Sequence, residues 1–359
     1  MRRLAIASLL LLGCFDWDVL SSTLGEQDLS TSQDLSVFDL AQPDLRVPDL
    51  RVPDLRMPDL LPPPDLMPPT VSFTKQADAA MLGNKKANNA IFGWNAMNLF
   101  AVGDAGVVVR TTNGKDWTVV TLSPATTQNL MDVWFLDDKV GWIVGAAMTA
   151  YQWDGTNWTA KAMNLTNDVQ AVFGSAANKV VASGSADAIF RFDGVNWTKS
   201  ANIAPKPGTQ WGMWGTGSTF FSVGASNDCI NINDTTVGKA ASDQGGNALF
   251  RSVFGSAANN IVAVGYDGNT SIASKSNGTA WTKLNNVPNV GKLYAIWAAS
   301  ATDMWIGAEN GQVLRFDGTN WSRTTVSGIP NTEIIKDIWG SDAANIWFVT
   351  DQGGIYKKN

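Results

Sequence analysis

The sequence predicts an all-β protein, a seven-bladed β-propeller with four-stranded antiparallel blades. A short phrase ending in or near an aromatic residue recurs seven times after residue 70, with 39 to 43 residues between successive aromatics. A period near 40 residues with four short β-like segments in each copy is typical of a propeller blade. The seven aromatic residues are Phe92, Trp134, Phe173, Trp214, Phe254, Trp297 and Trp339.

Each unit contains its segments in the same order. The aromatic phrase predicts the first strand, strand A, and an apolar segment ending near glycine, such as IVAVG at 261–265, predicts strand B. A third segment, such as QVLRF at 312–316, predicts strand C. An Asp-Gly or Asn-Gly pair then turns the chain into strand D. Short segments rich in Val, Ile, Phe and Trp, separated by Gly, Asn and Asp, are typical of β-meanders.

Strand D carries a tryptophan at a fixed distance from the turn, as in RFDGVNWT at 191–198 and RFDGTNWS at 315–322. Asn and Asp tolerate a positive φ and glycine adopts it without steric cost, so the pair predicts a tight turn. We expect the tryptophan to fill the gap between neighbouring sheets. The fourth unit has no tryptophan in its corresponding stretch, 231–239, which predicts an irregular blade.

The last unit ends one strand short, at Asn359. The segment TVSFTKQ at 70–76 resembles a strand D. We expect this N-terminal strand to complete the C-terminal blade, because closing the ring removes two exposed sheet edges. The propeller is therefore assigned to residues 70–359.

Residues 1–13 are predicted to be a signal peptide. Two arginines precede the apolar run Leu4–Leu12, which is too short to span a membrane. The ending LLGC at 11–14 resembles the lipobox of bacterial lipoproteins, which implies cleavage before Cys14 and lipidation of that residue. The alternative is an ordinary signal peptide with an incidental cysteine. Phe15 replaces the inner-membrane retention Asp known in some lipoproteins, so we expect a secreted protein anchored in the bacterial cell envelope, at the outer membrane.

Residues 14–69 are predicted to be a disordered tether. Pro-Asp-Leu recurs every five residues within 42–69, and proline favours an extended chain without internal hydrogen bonds. At about 3.1 Å per residue such a tract holds the propeller on the order of 80 Å from its anchor. A Pro-rich ligand for an aromatic groove is the alternative interpretation.

Charge and composition exclude several classes of function. Residues 1–69 contain 11 acidic and 5 basic residues, whereas the rest of the chain contains 21 of each, so the predicted propeller is neutral. A nucleic-acid partner would require a basic footprint, which is absent. The sequence contains no histidine, which excludes imidazole bases and histidine metal ligands. We expect a monomer whose only membrane contact is the lipid anchor.

The repeated Asp/Asn-Gly-x-x-Trp turn resembles the Asp-box (BNR) repeat of sialidase-type propellers. The whole unit is similar to the seven-bladed propellers of photosystem II assembly-factor type. The resemblance covers about four-fifths of the chain. The pattern departs from the standard Asp-box, Ser/Thr-x-Asp-x-Gly-x-Thr-Trp, because one glycine is generally missing. The resemblance implies the fold, while functions on such folds range from hydrolases to assembly factors and binding scaffolds.

A sialidase-like hydrolase would need an arginine cluster, a tyrosine nucleophile with a glutamate partner, and an acid. Arg191 and Arg315 occupy equivalent positions on strand C, which spreads them around the ring. Glu309 and Glu333 are the only glutamates after residue 70. A glycosidase pair of aspartates remains open, because its separation is spatial. We therefore expect a non-catalytic binding or assembly scaffold for envelope proteins or surface glycans, with an Asp-box glycan hydrolase as the alternative.

The loops between strands B and C carry one carboxylate in six of seven units. One interpretation is that Asp and Asn suit tight turns. The other is a ring of carboxylates that would bind Ca²⁺, or a basic segment of a partner, at the channel mouth. No other cofactor is predicted. The residues are Asp104, Asp187, Asp228, Asp267, Glu309 and Asp351.

Trp211 is a further candidate ligand-binding residue, whereas Cys229 is not a candidate nucleophile. Trp211 falls in a long predicted loop between blades, 202–213, where it would stack on a sugar or grip a peptide if exposed, or be buried between blades. Cys229 is interpreted as a small buried strand residue, because Asn227 and Asp228 are not the basic neighbours that activate a thiol.

Overall fold

Seven antiparallel sheets follow one another along the chain in a computed structural model, six of four strands and one of five. The seven-bladed propeller predicted from the repeat is confirmed. The structure describes residues 70–78, 87–163, 167–185, 188–200, 208–233, 236–239 and 247–359. The predicted signal peptide, the tether with Cys14, and Asp187 lie outside the described residues. The chain divides into two units, Met1–Leu61 and Pro62–Asn359, and the blades belong to the second.

The first strand, β1 (Val71–Ala77), belongs to the last blade, and the next sixteen form blades 1 to 4. Blade 1 contains β2 (Asn88–Asn95), β3 (Asn98–Gly103), β4 (Val108–Thr111) and β5 (Trp117–Val119). Blade 2 contains β6 (Leu130–Phe135), β7 (Gly141–Gly145), β8 (Ala150–Trp153) and β9 (Trp158–Ala160). Blade 3 contains β10 (Val169–Ala176), β11 (Lys179–Gly184), β12 (Ile189–Phe192) and β13 (Trp197–Lys199). Blade 4 contains β14 (Gln210–Thr216), β15 (Thr219–Gly224), β16 (Cys229–Ile232) and β17 (Val237–Lys239).

The remaining strands form blades 5 to 7. Blade 5 contains β18 (Leu249–Ala257), β19 (Asn260–Asp267), β20 (Thr270–Ser276) and β21 (Trp281–Lys283). Blade 6 contains β22 (Leu293–Ser300), β23 (Asp303–Ala308), β24 (Val313–Phe316) and β25 (Trp321–Thr324), and a short β26 (Val326–Ser327) follows it. Blade 7 contains β27 (Ile335–Gly340), β28 (Ile346–Thr350), β29 (Ile355–Lys358) and β1. One-turn 3-10 helices occupy three of the B–C loops, at Asp104–Gly106, Ala146–Met148 and Glu309–Gly311.

The N-terminal strand closes the ring as predicted. β1 pairs antiparallel with β29, with Phe73 opposite Lys358, and its other edge is covered by a parallel pairing with β26. The Phe73 side chain is buried and stacks on Phe348 with ring centroids 4.4 Å apart. The first and last strands of the propeller are therefore joined by both backbone hydrogen bonds and core packing.

The Asp-Gly turns have the predicted place between strands C and D, with one difference in mechanism. Gly155 has a φ of 100°, while Asp154 before it does not have a positive φ. The Asp154 carboxylate instead accepts the backbone N–H groups of Thr156 and Asn157 at 2.8 and 2.7 Å. These two hydrogen bonds lower the pKa of Asp154. Aspartate suits this position because its side-chain oxygen accepts these two N–H groups and so stabilises the turn.

The strand D tryptophans are buried and pack across the seams between blades, which confirms their predicted role. Trp158 of blade 2 contacts Phe100 of blade 1 edge-to-face at 5.5 Å, and Trp197 of blade 3 contacts Trp142 of blade 2 at 5.0 Å. Blade 4 has the half-buried Val237 at this position, in register opposite Ile232. It still forms four strands, so the loss of the tryptophan does not remove its outer strand. In the described part of the chain, no helix is long and apolar enough to cross a membrane.

Candidate functional site

The first strand of every blade contains a β-bulge one residue before the recurring aromatic phrase. The pairing with the second strand shifts there in all seven blades, for example between Asn88 and Ala90 in blade 1 and between Phe250 and Ser252 in blade 5. A bulge leaves one residue unpaired and re-aims its side chain. The seven bulged residues line one cavity at the mouth of the central channel.

The bulged residues divide this mouth into two chemically different parts. Blades 1 to 3 contribute two amides and a thioether, whereas blades 4 to 7 contribute two aromatic rings and two cations. The first part consists of Asn89, Met131 and Gln170, and the second, which we call the cationic–aromatic arc, consists of Trp211, Arg251, Tyr294 and Lys336.

Within the cationic–aromatic arc, the guanidinium of Arg251 lies over the ring of Trp211, 4.4 Å from its centroid. It also lies 5.7 Å from the ring centroid of Tyr294, and the ammonium of Lys336 lies 5.8 Å from the same centroid. Aromatic faces stabilise a cation electrostatically and fix its plane, but they do not accept its N–H groups as a carboxylate does. The donor edge of the guanidinium is therefore available to a ligand.

Neither cation of the arc has a counter-ion within the described residues, where no salt bridge or side-chain hydrogen bond involves Arg251 or Lys336. Burial lowers the pKa of both groups, and Arg251 further lowers the pKa of Lys336. Asp104 and Asp351 oppose that shift without forming an ion pair. The arc thus contains two partly desolvated positive charges, which an anion would stabilise.

The wall below the mouth contains two aspartates that tie neighbouring blades together. Asp337 accepts the N–H of Ile91 in blade 1 at 2.9 Å, and Asp132 accepts the N–H of Val172 in blade 3 at 2.8 Å. Burial raises the pKa of Asp337 to about 7 and raises that of Asp132 well above its usual range. The equivalent residue of blade 5, Ser252, accepts the N–H of Ile296 in the same way. Side chains at this position of the first strand therefore connect neighbouring blades by hydrogen bonds.

Five of the seven aromatic residues of the repeated phrase line the inner part of the cavity, and all seven pack around it. The tryptophans are buried and lean across the seams: a Cβ added at Gly174 would collide with the ring of Trp134, and one added at Gly255 with Trp214. The phenylalanines of blades 1, 3 and 5 are less buried and contact the tryptophans at 5.8 to 6.4 Å between centroids. The space in the cavity that water can occupy is about 120 Å³.

Three of the predicted B–C loop carboxylates are engaged with neighbouring segments of the propeller. Asp104 accepts the amide of Asn89 at 2.9 Å, and Asp351 accepts the backbone N–H of Ile334 at 2.7 Å. Asp228 is fully buried, accepts the N–H of Gly208 at 2.6 Å and forms a salt bridge with Lys239. These contacts show how three of the six residues shape their loops.

Two of the predicted carboxylates remain at the surface of this face. Asp267 is exposed at the end of β19, and Glu309 is half-buried at the start of a 3-10 turn. Among the residues that the structure describes, no three carboxylate or cysteine side chains lie close enough together to hold a metal ion. The structure does not bring the predicted set together at one point, and its binding of Ca²⁺ stays a prediction.

Trp211 does not lie in a loop between blades, because β14 already begins at Gln210. The loop predicted for 202–213 therefore extends too far, because strand β14 begins inside it. The ring of Trp211 lines the mouth instead of a blade seam. Cys229 is buried as predicted, and burial raises the pKa of its thiol. A thiol in that state is not a nucleophile.

The arginines are distributed as the repeat predicts. Arg110, Arg191 and Arg315 occupy the same register position on strands β4, β12 and β24, each in a different blade. Arg251 alone of the five propeller arginines belongs to the mouth of the described cavity. An arginine cluster of the kind that a sialidase-like hydrolase would use is therefore not formed by the described residues.

Solved structures share this architecture. YCF48 bound to a D1 peptide superposes with a TM-score of 0.65 at 14% identity, over 82% of this chain and 98% of that one. YCF48 from Cyanidioschyzon merolae gives 0.63 at 14% identity, over 80% and 98%. The WD40 β-propeller domain of Doa1 gives 0.62 at 11% identity, over 80% and 97%. No protein-family model and no curated protein sequence matches the chain. At such identities the likeness establishes the fold.

Proposed function

We propose that this protein is a non-catalytic binding scaffold that recognises a partner protein of the cell envelope at the mouth of its central channel. The observation that carries the proposal is the cationic–aromatic arc, where two cations that have no counter-ion among the described residues lie against aromatic rings in a closed ring of blades. Aromatic residues and arginine are the side chains most enriched at the energetic centres of protein interfaces. The fold it shares with YCF48, which has been solved with a D1 peptide, supports a polypeptide as the ligand.

The geometry of the wall carboxylates argues against the hydrolase alternative. A glycosidase acid or nucleophile needs a carboxylate oxygen directed at the substrate. In Asp132 and Asp337 both oxygens accept backbone N–H groups at 2.8 to 2.9 Å, one within the strand and one across the seam. A panel of sialosides and other glycosides tests this point directly. Turnover that is lost in Asp132→Asn and Asp337→Asn would favour the enzyme over the scaffold.

Photo-crosslinking tests the proposed binding face. A photoreactive residue would replace Met131 or Gln170, two uncharged residues of the mouth outside the cationic–aromatic arc, in cells of the native host. The matched control replaces Met97, which is 57% exposed in an A–B turn and so at the opposite ends of the strands. We expect one envelope protein to be captured from positions 131 and 170 and not from 97. The same adducts from all three positions, or none from any, would contradict the proposal.

We also propose that Cys14 anchors the protein to the outer membrane through lipid and that residues 14–69 serve as the spacer. The support for this is the lipobox-like ending of the leader and the repeated Pro-Asp-Leu tract. In the native host, full-length protein should sediment with outer membranes and carry lipid on residue 14. Cys14→Ala should appear unlipidated and outside the outer-membrane fraction. A wild-type protein that carries no lipid would refute the anchor without affecting the binding proposal.

A further inference from the structure

We propose that the ligand group held at the mouth is the free carboxyl terminus of a polypeptide, an inference that rests on the proposed function and specifies its chemistry. The α-carboxylate is held by Arg251 and Lys336, and the last side chain points inward to the apolar part of the cavity. The argument has three steps: the charge of the arc, the depth at which an anion is tolerated, and the shape of the opening.

The charge and shape of the cationic–aromatic arc match a planar anion. The guanidinium of Arg251 is fixed against the Trp211 ring at 4.4 Å, so its N–H groups present a fork in one plane. A carboxylate matches this fork with two parallel hydrogen bonds. Lys336, whose ammonium lies 5.8 Å from the Tyr294 ring centroid, adds a second positive charge at the same mouth. Both cations lack a counter-ion among the described residues, so the ligand would supply it.

The wall places that anion at the entrance and not deeper. Asp132 and Asp337 lie one residue further along their strands than the mouth residues, and a carboxylate next to them would be repelled when they are ionised. The surfaces beside and below them are apolar, formed by Ala90, Val172 and Phe173 among others. An anionic group at the lip with an apolar group below it matches the end of a polypeptide chain that has an apolar last residue.

The opening favours a chain end over an internal acidic residue. The lining residues of the mouth come from all seven blades. The aromatic residues lie three positions beyond the bulged ones, which is about 10 Å along a strand. An internal residue that entered would require the chain to enter and leave through one mouth, whereas a terminus enters once. The outer carboxylates, Asp267 and Glu309, would favour a basic residue upstream of the terminus.

Two random octapeptide libraries, one with free carboxyl termini and one with C-terminal amides, test the inference on the full-length protein. We expect enrichment from the free-carboxyl library, with an apolar last residue and a basic residue upstream. Amidation of a recovered peptide should weaken its binding about 10- to 100-fold, because it removes the charged hydrogen bonds to Arg251. Arg251→Met and Lys336→Met should each weaken the free acid and have little effect on the amide.

Arg323→Met is the matched control, because it removes an exposed arginine from the outer strand of blade 6 and should leave binding unchanged. Thermal unfolding of each variant checks that it is folded, and Arg251→Lys retains the charge without the fork if Arg251→Met does not fold. Equal enrichment from both libraries, or none from either, would overturn the inference. If photo-crosslinking nevertheless captures a partner at the mouth, the scaffold proposal stands and only the terminal carboxylate is refuted. Binding of a polyuronate instead of peptides would also overturn it, in favour of an acidic glycan.

Discussion

Removing the Phe73 side chain should destabilise the pairing of the first and last strands that closes the ring of blades. Phe73 is 3% exposed, and Phe73→Ala deletes its whole ring from the seam. The transfer of a buried phenylalanine contributes about 2–3 kcal/mol. Its stacked contact with Phe348 at 4.4 Å and its edge contact with Trp305 at 6.4 Å contribute about 0.5–1.5 kcal/mol each. We therefore expect a loss of about 3–5 kcal/mol in the free energy of unfolding.

Urea denaturation measures that loss, and limited trypsin digestion locates it. Lys75 lies on β1, so opening of this strand exposes a cleavage site before the rest of the propeller unfolds. Phe73→Ala should be cut after Lys75 faster than the wild type. Val119→Ala, at a side chain that is 57% exposed, should change the stability by less than about 0.5 kcal/mol. If Phe73→Ala is no more destabilised than Val119→Ala, or if it is cut after Lys75 no faster than the wild type, β1 does not hold the ring closed.

Three further predictions concern the seams and the turns. Trp197→Ala should lower the free energy of unfolding, measured by urea denaturation, by about 3–5 kcal/mol, because its ring packs on Trp142. Val237→Ala, at the equivalent half-buried position of blade 4, should lower it by about 1–2 kcal/mol. Equal losses would contradict the role of the tryptophan in the seam. Gly155→Ala should cost about 1–2 kcal/mol because its φ is 100°, whereas Gly238→Ala, with open space and no positive φ, should be nearly neutral. The pKa of Asp337 is about 7 in the folded protein and about 4 when unfolded, so the folded state binds its proton more tightly and stability should fall as pH rises from about 4 to 7. Asp337→Asn should remove on the order of 2 kcal/mol of that fall between pH 5 and 8, and an unchanged pH slope would refute the assignment.

The parts of the fold that could be predicted from sequence are those where packing demands the same residue in every blade. The strand D tryptophan recurs because each seam has the same gap to fill, and the Asp-Gly pair recurs because each turn needs the same two backbone contacts. The closing strand was predictable from the strand missing after Asn359, to within one residue of its observed bounds, Val71–Ala77. The same residue type therefore recurs wherever every blade has the same packing or hydrogen-bonding requirement.

The candidate site could not be predicted in the same way, because its positions share no residue type. Asn89, Gln170 and Arg251 occupy equivalent bulges, yet a comparison of the repeats by residue type does not align them. The B–C loop carboxylates do recur, but Asp104, Asp228 and Asp351 bind to neighbouring segments of the propeller. A signal is present in the sequence: each mouth residue directly precedes the small or acidic residue that begins the recurring aromatic phrase.

The contrast between a repeated backbone and unrepeated side chains has a consequence for recognition. Seven bulges turn seven side chains toward one mouth, so the backbone geometry there is close to symmetric. A symmetric lining would offer a ligand seven equivalent orientations, whereas the cations and aromatic rings are confined to blades 4 to 7. An anionic group would therefore be stabilised on one side of the mouth, next to blades 4 to 7. In the proposed scaffold, this asymmetry of the side chains on a symmetric ring would orient the bound partner.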